Sequence, residues 1–303
     1  MAEEISGVLI VNKHGGVTSH DIVGKIRRLY GTRRVGHTGT LDPMATGVLV
    51  ILIGRAAKAA EYLASDSKRY CATLRLGMTT DSEDITGNIL TTSDRIPDFD
   101  ALQEVLPSFR GKIQQIPPMY SALKVGGKKL VDLAREGKVI ERQPREIEIF
   151  SMEATPTEAK TDYVLEVSCS GGTYIRTLCA DIGAALGCGG VMATLERREA
   201  CGFPLSQAHT IAELEEMTLE ERRALLIPTE ALFASLPAIK LPAFYERLCR
   251  SGCEIYQSKI KASYEEGQRV RLCTENGDFF ALGEVFSYEK GPAVKAIKTF
   301  ELE

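Results

Sequence analysis

Residues 36–53 read Gly36-His37-Thr38-Gly39-Thr40-Leu41-Asp42-Pro43-Met44-Ala45-Thr46-Gly47, followed by the apolar run Val48-Leu49-Val50-Ile51-Leu52-Ile53. The apolar run is short and bounded by glycines, which is typical of a buried strand. Pro43 disfavours helical backbone at the residue before it, so Asp42 is held in an extended conformation where a loop enters this strand. The stretch therefore predicts a reactive carboxylate at the edge of the core. The alternative is ordinary Asp-Pro turn chemistry.

The bulk properties are those of a soluble globular protein. The chain has 303 residues, 44% hydrophobic and 26% charged, enough for a full core and a smaller second domain. It begins Met1-Ala2-Glu3-Glu4-Ile5, which is not a signal peptide, and no apolar run reaches membrane-spanning length. The eight cysteines include no Cys-x-x-Cys pair. We therefore expect a cytoplasmic protein with reduced thiols and no metal site.

The charge is unevenly distributed along the chain. The net charge of −4 by itself argues against a nucleic-acid ligand. Lys and Arg nevertheless outnumber Asp and Glu within residues 13–37 and again within 124–145. Such segregation can produce a basic face that neutralises phosphates on an acidic molecule. Two solvated helix faces would give the same pattern, and composition alone does not separate these readings.

Local patterns predict several elements of regular structure. Residues 7–13 read as a strand, and Thr18 with Asp21 forms a capping box for a helix that ends at Gly31. Residues 55–64 are alanine-rich and read as a helix. Residues 68–77 alternate as a strand, with one face formed by Tyr70, Ala72, Leu74 and Leu76.

A second helix follows Gly171-Gly172, with Thr173 as its expected N-cap and an apolar stripe at Ile175, Leu178, Cys179, Ile182 and Leu186. Arg176 falls in its first turn, where the positive end of the helix dipole disfavours a cation. An aspartate facing Arg176 would explain this placement, because the ion pair would keep the carboxylate ionised. A solvent-exposed arginine is the alternative.

Residues 36–47 closely resemble the nucleophile motif of the TruB family, the bacterial tRNA pseudouridine-55 synthases. Further resemblances lie in Lys68-Arg69-Tyr70, in residues 116–124 and in Gly171-Gly172-Thr173-Tyr174-Ile175-Arg176-Thr177-Leu178. Residues 193–198 resemble a Leu-Arg-Arg segment of the family, although Glu196 replaces the first arginine. The blocks are spread over residues 7–203.

The resemblance implies a role for each matching residue. Asp42 would be the catalytic nucleophile, Arg176 its ionic partner, and Tyr70 the ring that stacks on the target base and takes part in proton transfer. His37 would fill or support the space that a flipped base leaves. The substrate-binding residues implied in this way are His37, Tyr70, Tyr174, Leu195, Lys13 and Asp84.

The resemblance also implies an α+β fold, the pseudouridine-synthase fold, with a central mixed, mainly antiparallel sheet flanked by helices. Residues 1–236 would form the catalytic domain. Residues 237–303 would form a small, mostly-β, PUA-like RNA-binding domain. The expected partner is the T-arm of tRNA, bound by a monomer that needs no protein partner, no membrane, no cofactor and no metal.

Three other functions fit parts of the sequence. A guide-RNA-dependent relative would act within a ribonucleoprotein, and a non-catalytic tRNA-binding or tRNA-folding module would use the basic faces alone. An aspartyl-nucleophile hydrolase or phosphotransferase would need metal-ligand spacing that this chain lacks.

Overall fold

Two β-sheets of different size form the frame of the protein, in a computed structural model that describes residues 5–63, 67–121 and 123–300. The strands, in chain order, are β1 (Gly7–Lys13), β2 (Val35–His37), β3 (Thr46–Ile53), β4 (Lys68–Leu76), β5 (Met78–Thr80), β6 (Ile89–Thr92), β7 (Gly111–Gln115), β8 (Lys124–Val125), β9 (Lys128–Lys129), β10 (Arg145–Pro156), β11 (Asp162–Cys169), β12 (Gly190–Ala200), β13 (Phe203–Pro204), β14 (Ala238–Lys240), β15 (Ile255–Tyr256), β16 (Arg269–Cys273), β17 (Phe279–Tyr288) and β18 (Gly291–Thr299). The start of the chain, on which the signal-peptide expectation rests, lies outside the described residues.

The α-helices lie mainly between these strands. They are α1 (Ser19–Tyr30), α2 (Phe99–Val105), α3 (Leu130–Arg135), α4 (Ile175–Ala185), α5 (Ile211–Glu216), α6 (Leu219–Ala224), α7 (Ala243–Arg250) and α8 (Gln257–Ile260). Short 3-10 helices span Gly54–Tyr62, Leu106–Phe109, Leu205–Gln207 and Thr229–Phe233. The helix predicted over 55–64 is thus a 3-10 helix, and its expected last residue lies outside the described residues. No helix in the described part of the chain is long and apolar enough to cross a membrane.

The larger sheet is mixed and mainly antiparallel, as predicted. Its order is β1-β3-β12-β4-β11-β10-β7, with β2 beside β3 and β13 beside β12. The β3–β12 pairing is parallel and the other pairings are antiparallel. Strand β12 therefore joins the strand that follows the Asp42 loop to the strand that carries Tyr70. The predicted fold class is confirmed.

Strand β3 is buried on both faces. Leu49, Ile51 and Ile53 pack into the core that contains α1, whereas Val48, Val50 and Leu52 pack into a second core with Phe203 and Phe233. Burial on both faces explains why the sequence of β3 is continuously apolar. Strand β4, in contrast, alternates, and Tyr70, Ala72, Leu74 and Leu76 share its buried face as predicted.

The capping predictions had different outcomes for the two helices. Helix α1 has the complete Thr18–Asp21 capping box and ends at Gly31, whose φ of 63° is left-handed. For α4 the predicted cap is wrong, because the N-cap is Tyr174 and it makes no side-chain capping hydrogen bond. The Thr173 hydroxyl instead donates to the Ser170 carbonyl at 3.0 Å, closing the turn before the helix.

The smaller sheet contains β14–β18 and begins just after Pro237. Two ion pairs, each at 2.6 Å, join this sheet to the preceding part of the chain: Lys298 with Glu61, and Arg271 with Glu230. The ring of Phe233, from the preceding part of the chain, packs against the rings of Phe279 and Phe300. The C-terminal sheet is therefore held against the larger unit by both apolar and ionic contacts.

Candidate active site

The loop between β2 and β3 carries Asp42, and buried donors hold its main chain. The Lys13 ammonium lies beneath the loop, fully buried, and donates to the carbonyls of Ala45 (2.6 Å) and Pro43 (3.2 Å). The buried Ser19 hydroxyl bonds to both main-chain groups of Leu41, at 2.8 and 3.1 Å. The backbone on either side of Asp42 is thereby fixed before any ligand arrives.

Asp42 and Arg176 form a two-point ion pair. Arg176 Nε lies 2.9 Å from Asp42 Oδ2, and Arg176 Nη2 donates to Asp42 Oδ1 at 3.1 Å. The Arg176 side chain is 5% exposed, whereas that of Asp42 is 31% exposed. The carboxylate thus faces the guanidinium on one side and open space on the other. An aspartate facing the arginine in the first turn of α4 was predicted from the helix dipole, and the structure brings the two together.

Further acceptors surround the guanidinium of Arg176. It donates to the carbonyls of Ser82 (3.0 Å) and Tyr120 (2.8 Å), and Asp84 Oδ2 lies 3.8 Å away. Asp84 Oδ1 in turn accepts from the hydroxyls of Ser82 (2.8 Å) and Thr86 (2.6 Å). These contacts fix Arg176 in one orientation, so its fork is preorganised for the carboxylate.

An open cavity of about 350 Å³ lies in front of the ion pair. The predicted site residues Asp42, Tyr70, Tyr174, Arg176 and Leu195 all line it. Among these predicted residues, two phenol rings and a leucine offer flat and apolar contacts, and the cavity volume is within the range of small-ligand pockets. The cavity can therefore hold a flat, partly polar ring against the carboxylate.

Three predicted substrate contacts lie outside the lining of this cavity. Lys13 is beneath the Asp42 loop, and Asp84 is buried behind Arg176. His37 is at the end of β2, half-buried, and its Nδ1 has no hydrogen-bond partner among the described residues. Lys13 and Asp84 thus support the loop and the arginine, whereas His37 lies near the loop's entry.

Burial changes the proton affinities of these groups. Burial raises the pKa of Asp42 above its usual range, while the Arg176 guanidinium opposes that rise. From sequence, only the effect of the arginine on this pKa is predicted. Burial lowers the pKa of Lys13 to about 8, against the opposing charge of Asp42. Burial also raises the pKa of Tyr70, and Arg197 opposes that rise.

Two cationic residues that line the cavity, Lys68 and Arg197, are not among the predicted site residues. Lys68 lies two residues before Tyr70 on β4, and Arg197 lies two residues after Leu195 on β12. Alternation along a strand places such residues on the same face. Applying this rule to the two predicted residues would have identified both cations.

Within the described ranges, no group of three or more His, Cys, Asp or Glu side chains is arranged to hold a metal ion.

Comparison with known proteins identifies the family. Residues 27–175 match the TruB family pseudouridylate synthase (N terminal domain), and residues 176–234 match the tRNA pseudouridylate synthase B C-terminal domain. The two matches meet between Ile175 and Arg176, and both of these residues line the cavity. The residues of the smaller sheet lie beyond both matches.

Several relatives carry the name tRNA pseudouridine synthase B. That of Francisella philomiragia is 45% identical over 240 residues, covering 78% of this chain and 79% of the relative. That of Alkaliphilus oremlandii is 41% identical over 283 residues, covering 93% of both.

The fold has solved counterparts. A chain in the crystal structure of a Cbf5-Nop10-Gar1 complex matches with a TM-score of 0.75 and 25% identity, covering 97% of this chain and 85% of that one. A chain in the archaeal box H/ACA sRNP Nop10-Cbf5 complex matches with a TM-score of 0.72 and 25% identity, covering 97% and 86%. The cavity, the family matches and the relatives agree with the prediction made from residues 36–47: the chain belongs to the TruB family and is a pseudouridine synthase.

Proposed function

We propose that this enzyme converts uridine 55 in the T-loop of tRNA to pseudouridine, with Asp42 as the catalytic carboxylate. The observation that carries this proposal is the two-point Asp42–Arg176 ion pair at the wall of a cavity lined by Tyr70 and Leu195. The tRNA substrate of the relatives, given by their name, supports the choice of RNA.

The reaction rearranges bonds within one nucleotide. The bond between N1 and C1′ breaks, and its electron pair leaves with the uracil. The base then bonds to C1′ through C5, and the proton released from C5 is balanced by one taken up at N1. Asp42 starts this sequence in one of two ways. It attacks C1′ and forms an ester bond that breaks when C5 bonds to C1′, or it removes the 2′ hydrogen as a proton that returns to C2′ when C5 bonds to C1′. Both paths begin with an ionised carboxylate, which Arg176 favours against the effect of burial.

The remaining residues of the cavity hold the base. A uridine within a folded T-loop must leave its stack to reach Asp42, so the cavity receives a flipped nucleotide. Tyr70 stacks on the uracil and serves the proton transfer from C5. Leu195 and Tyr174 form other walls, and His37, outside the cavity, occupies or supports the vacated position in the loop.

The RNA around the target is held by charge and shape. The exposed lysines and arginines of the basic stretches 13–37 and 124–145 contact phosphates of the T-arm, whereas Lys13 is buried. Residues 1–236 form the catalytic domain, and residues 237–303 form a PUA-like domain that extends the RNA contact. We infer that the enzyme acts as a monomer without a protein partner.

The deciding experiment replaces the Asp42 carboxylate by an amide and assays the variant protein on an RNA minihelix that contains the T-arm. Asp42→Asn removes the negative charge with little change in volume, so pseudouridine formation is expected to stop while minihelix binding persists. Asp94→Asn, at an exposed position, is the matched control and should leave turnover unchanged. Pseudouridine is mapped at single-nucleotide resolution after incubation with each protein.

Three results would overturn the proposal. Turnover by Asp42→Asn would remove the carboxylate from the chemistry. A product at another nucleotide would contradict the assignment of uridine 55. No turnover of the bare minihelix by the wild-type protein would favour a guide-dependent enzyme.

A further inference from the structure

Arg197 is a buried arginine whose hydrogen bonds go to the main chain. It lies on β12 and is 1% exposed. Its Nε donates to the Val48 carbonyl at 2.7 Å, its Nη2 to Gly39 at 3.0 Å and its Nη1 to Thr40 at 3.4 Å. A guanidinium has five N–H donors in a rigid plane, so one side chain can fix several carbonyls at once.

These carbonyls belong to the loop and strand on either side of Asp42. Gly39 and Thr40 precede Asp42 within the loop, and Val48 follows it in β3. Lys13 holds the loop between these points, through Pro43 and Ala45. Arg197 therefore fixes both ends of the segment, and Lys13 fixes its centre.

Arg197 also lies directly opposite Tyr70. The two residues are partners in the antiparallel register of β12 and β4, and both line the cavity. Directly opposed residues on one face of a sheet have Cβ atoms about 5 Å apart. The positive charge of Arg197 opposes the rise that burial causes in the pKa of Tyr70. One side chain thus links the loop of the carboxylate to the phenol.

Gly47 makes this arrangement possible. It pairs with Arg197 in the parallel register of β3 and β12, and its φ of 98° is left-handed. A Cβ at this position would lie 2.3 Å from the carbonyl oxygen of Arg197. Only glycine allows β3 to approach β12 this closely, and the approach brings the loop carbonyls within reach of the guanidinium.

We propose that Arg197 is a positioning residue that fixes Tyr70 relative to the Asp42 loop, as Arg176 fixes the carboxylate itself. This inference rests on the proposed function, since the distance that matters is that between phenol and carboxylate around a flipped uridine. Arg197 acts through Tyr70 and the loop, not by contact with phosphate, because its hydrogen bonds point into the protein.

The adjacent Arg198 provides a matched control. Its side chain lies on the opposite face of β12, is 47% exposed, and pairs with Glu166 at 2.9 Å and Glu196 at 3.3 Å. Arg197→Met and Arg198→Met make the same chemical change one residue apart in one strand. Lysine variants at both positions retain the charge but not the planar fork.

The test measures single-turnover rate and minihelix dissociation constant for these four variants. Arg197→Met should lose at least about 100-fold in rate, with its dissociation constant within about threefold of wild type. Arg197→Lys should recover part of that rate, and both Arg198 variants should stay within about twofold of wild type. In a Tyr70→Phe background, Arg197→Met should cost less than about tenfold, because the hydroxyl group that it positions is already absent.

A spectroscopic readout keeps the inference separate from the proposed activity. Fluorotyrosine at position 70, assigned by its absence in Tyr70→Phe, should give a fluorine resonance that moves in Arg197→Met and not in Arg198→Met. An unmoved resonance would overturn the inference whether or not the minihelix is a substrate. So would an Arg197→Met rate equal to that of Arg198→Met, a loss confined to binding, or the full cost persisting in Tyr70→Phe. If Arg197→Met does not fold, Arg197→Lys is judged by these criteria.

Discussion

Strands β4 and β12 present two different faces, although both faces are rich in charged residues. On the cavity face the side chains are buried, and they include Lys68, Tyr70, Leu195 and Arg197. On the other face the side chains are largely exposed and pair across strands, as do Arg69 with Glu199 (3.6 Å) and Arg198 with Glu166 (2.9 Å). Strand alternation separates the two sets.

The two faces differ in the strength of the interactions that their charged side chains make. An exposed ion pair is screened by water and contributes about 0–1 kcal/mol. A buried guanidinium donates hydrogen bonds to carbonyls that water does not reach. Removing the guanidinium therefore leaves each carbonyl without a donor, at a cost to stability of about 1–3 kcal/mol per carbonyl. Equal substitutions on the two faces should therefore have unequal effects, both on stability and on turnover.

The largest difference is expected for Arg176 compared with Arg69. Arg176→Ala removes both hydrogen bonds to Asp42 and leaves a carboxylate whose pKa burial already raises. We expect a loss of at least about 100-fold in single-turnover rate, which is the usual cost of removing one preorganised hydrogen-bond donor from an active site. Arg69→Ala, on the exposed face, should change the rate by less than about twofold. A wild-type rate for Arg176→Ala would show that this arginine does not contribute to the reaction.

A second contrast uses the pH dependence of stability. Burial lowers the pKa of Lys13 in the folded protein to about 8, from an ordinary value of 10.5. Between these values the unfolded chain binds more protons than the folded one, so Lys13 makes the free energy of unfolding rise with pH, by about 2 kcal/mol from pH 8 to pH 10. Below pH 8 the cost of the buried ammonium is fully present.

Urea unfolding at several pH values measures this contribution. The increase should be missing from Lys13→Met, relative to wild type, and retained in Lys25→Met, whose lysine is at the surface beside Glu215. Parallel pH profiles for Lys13→Met and wild type would contradict a strongly shifted lysine beneath the Asp42 loop.

Much of this site follows from local sequence. The Asp42 loop, the alternation of β4 and the misplaced charge of Arg176 are all visible within short windows, and the structure brings them together. The role of Arg197 is not visible in this way, because its acceptors Gly39 and Thr40 are more than 150 residues away in the chain. That contact depends on the register of β3 with β12, which tertiary packing determines.

The same limit explains the error at Thr173 and why the sequence alone does not indicate where Lys13 lies. The Thr173 hydroxyl could cap α4 or close the preceding turn, and both choices satisfy the same local pattern. Lys13 was placed with substrate by resemblance alone, whereas its position under the loop depends on the pairing of β1 with β3. Local patterns indicate which residues are unusual, and the sheet register decides what they contact.

The smallest effect is expected on the exposed face. Arg198→Ala and Glu166→Ala each remove a pair at 2.9 Å between side chains that are 47% and 52% exposed. A double-mutant cycle should give a coupling of less than about 1 kcal/mol, falling further at high salt, because water and ions screen the pair. Neither substitution should alter minihelix turnover. A coupling well above this value would contradict the contrast between the two faces, because it would show that water and ions do not screen the exposed pair in the free enzyme.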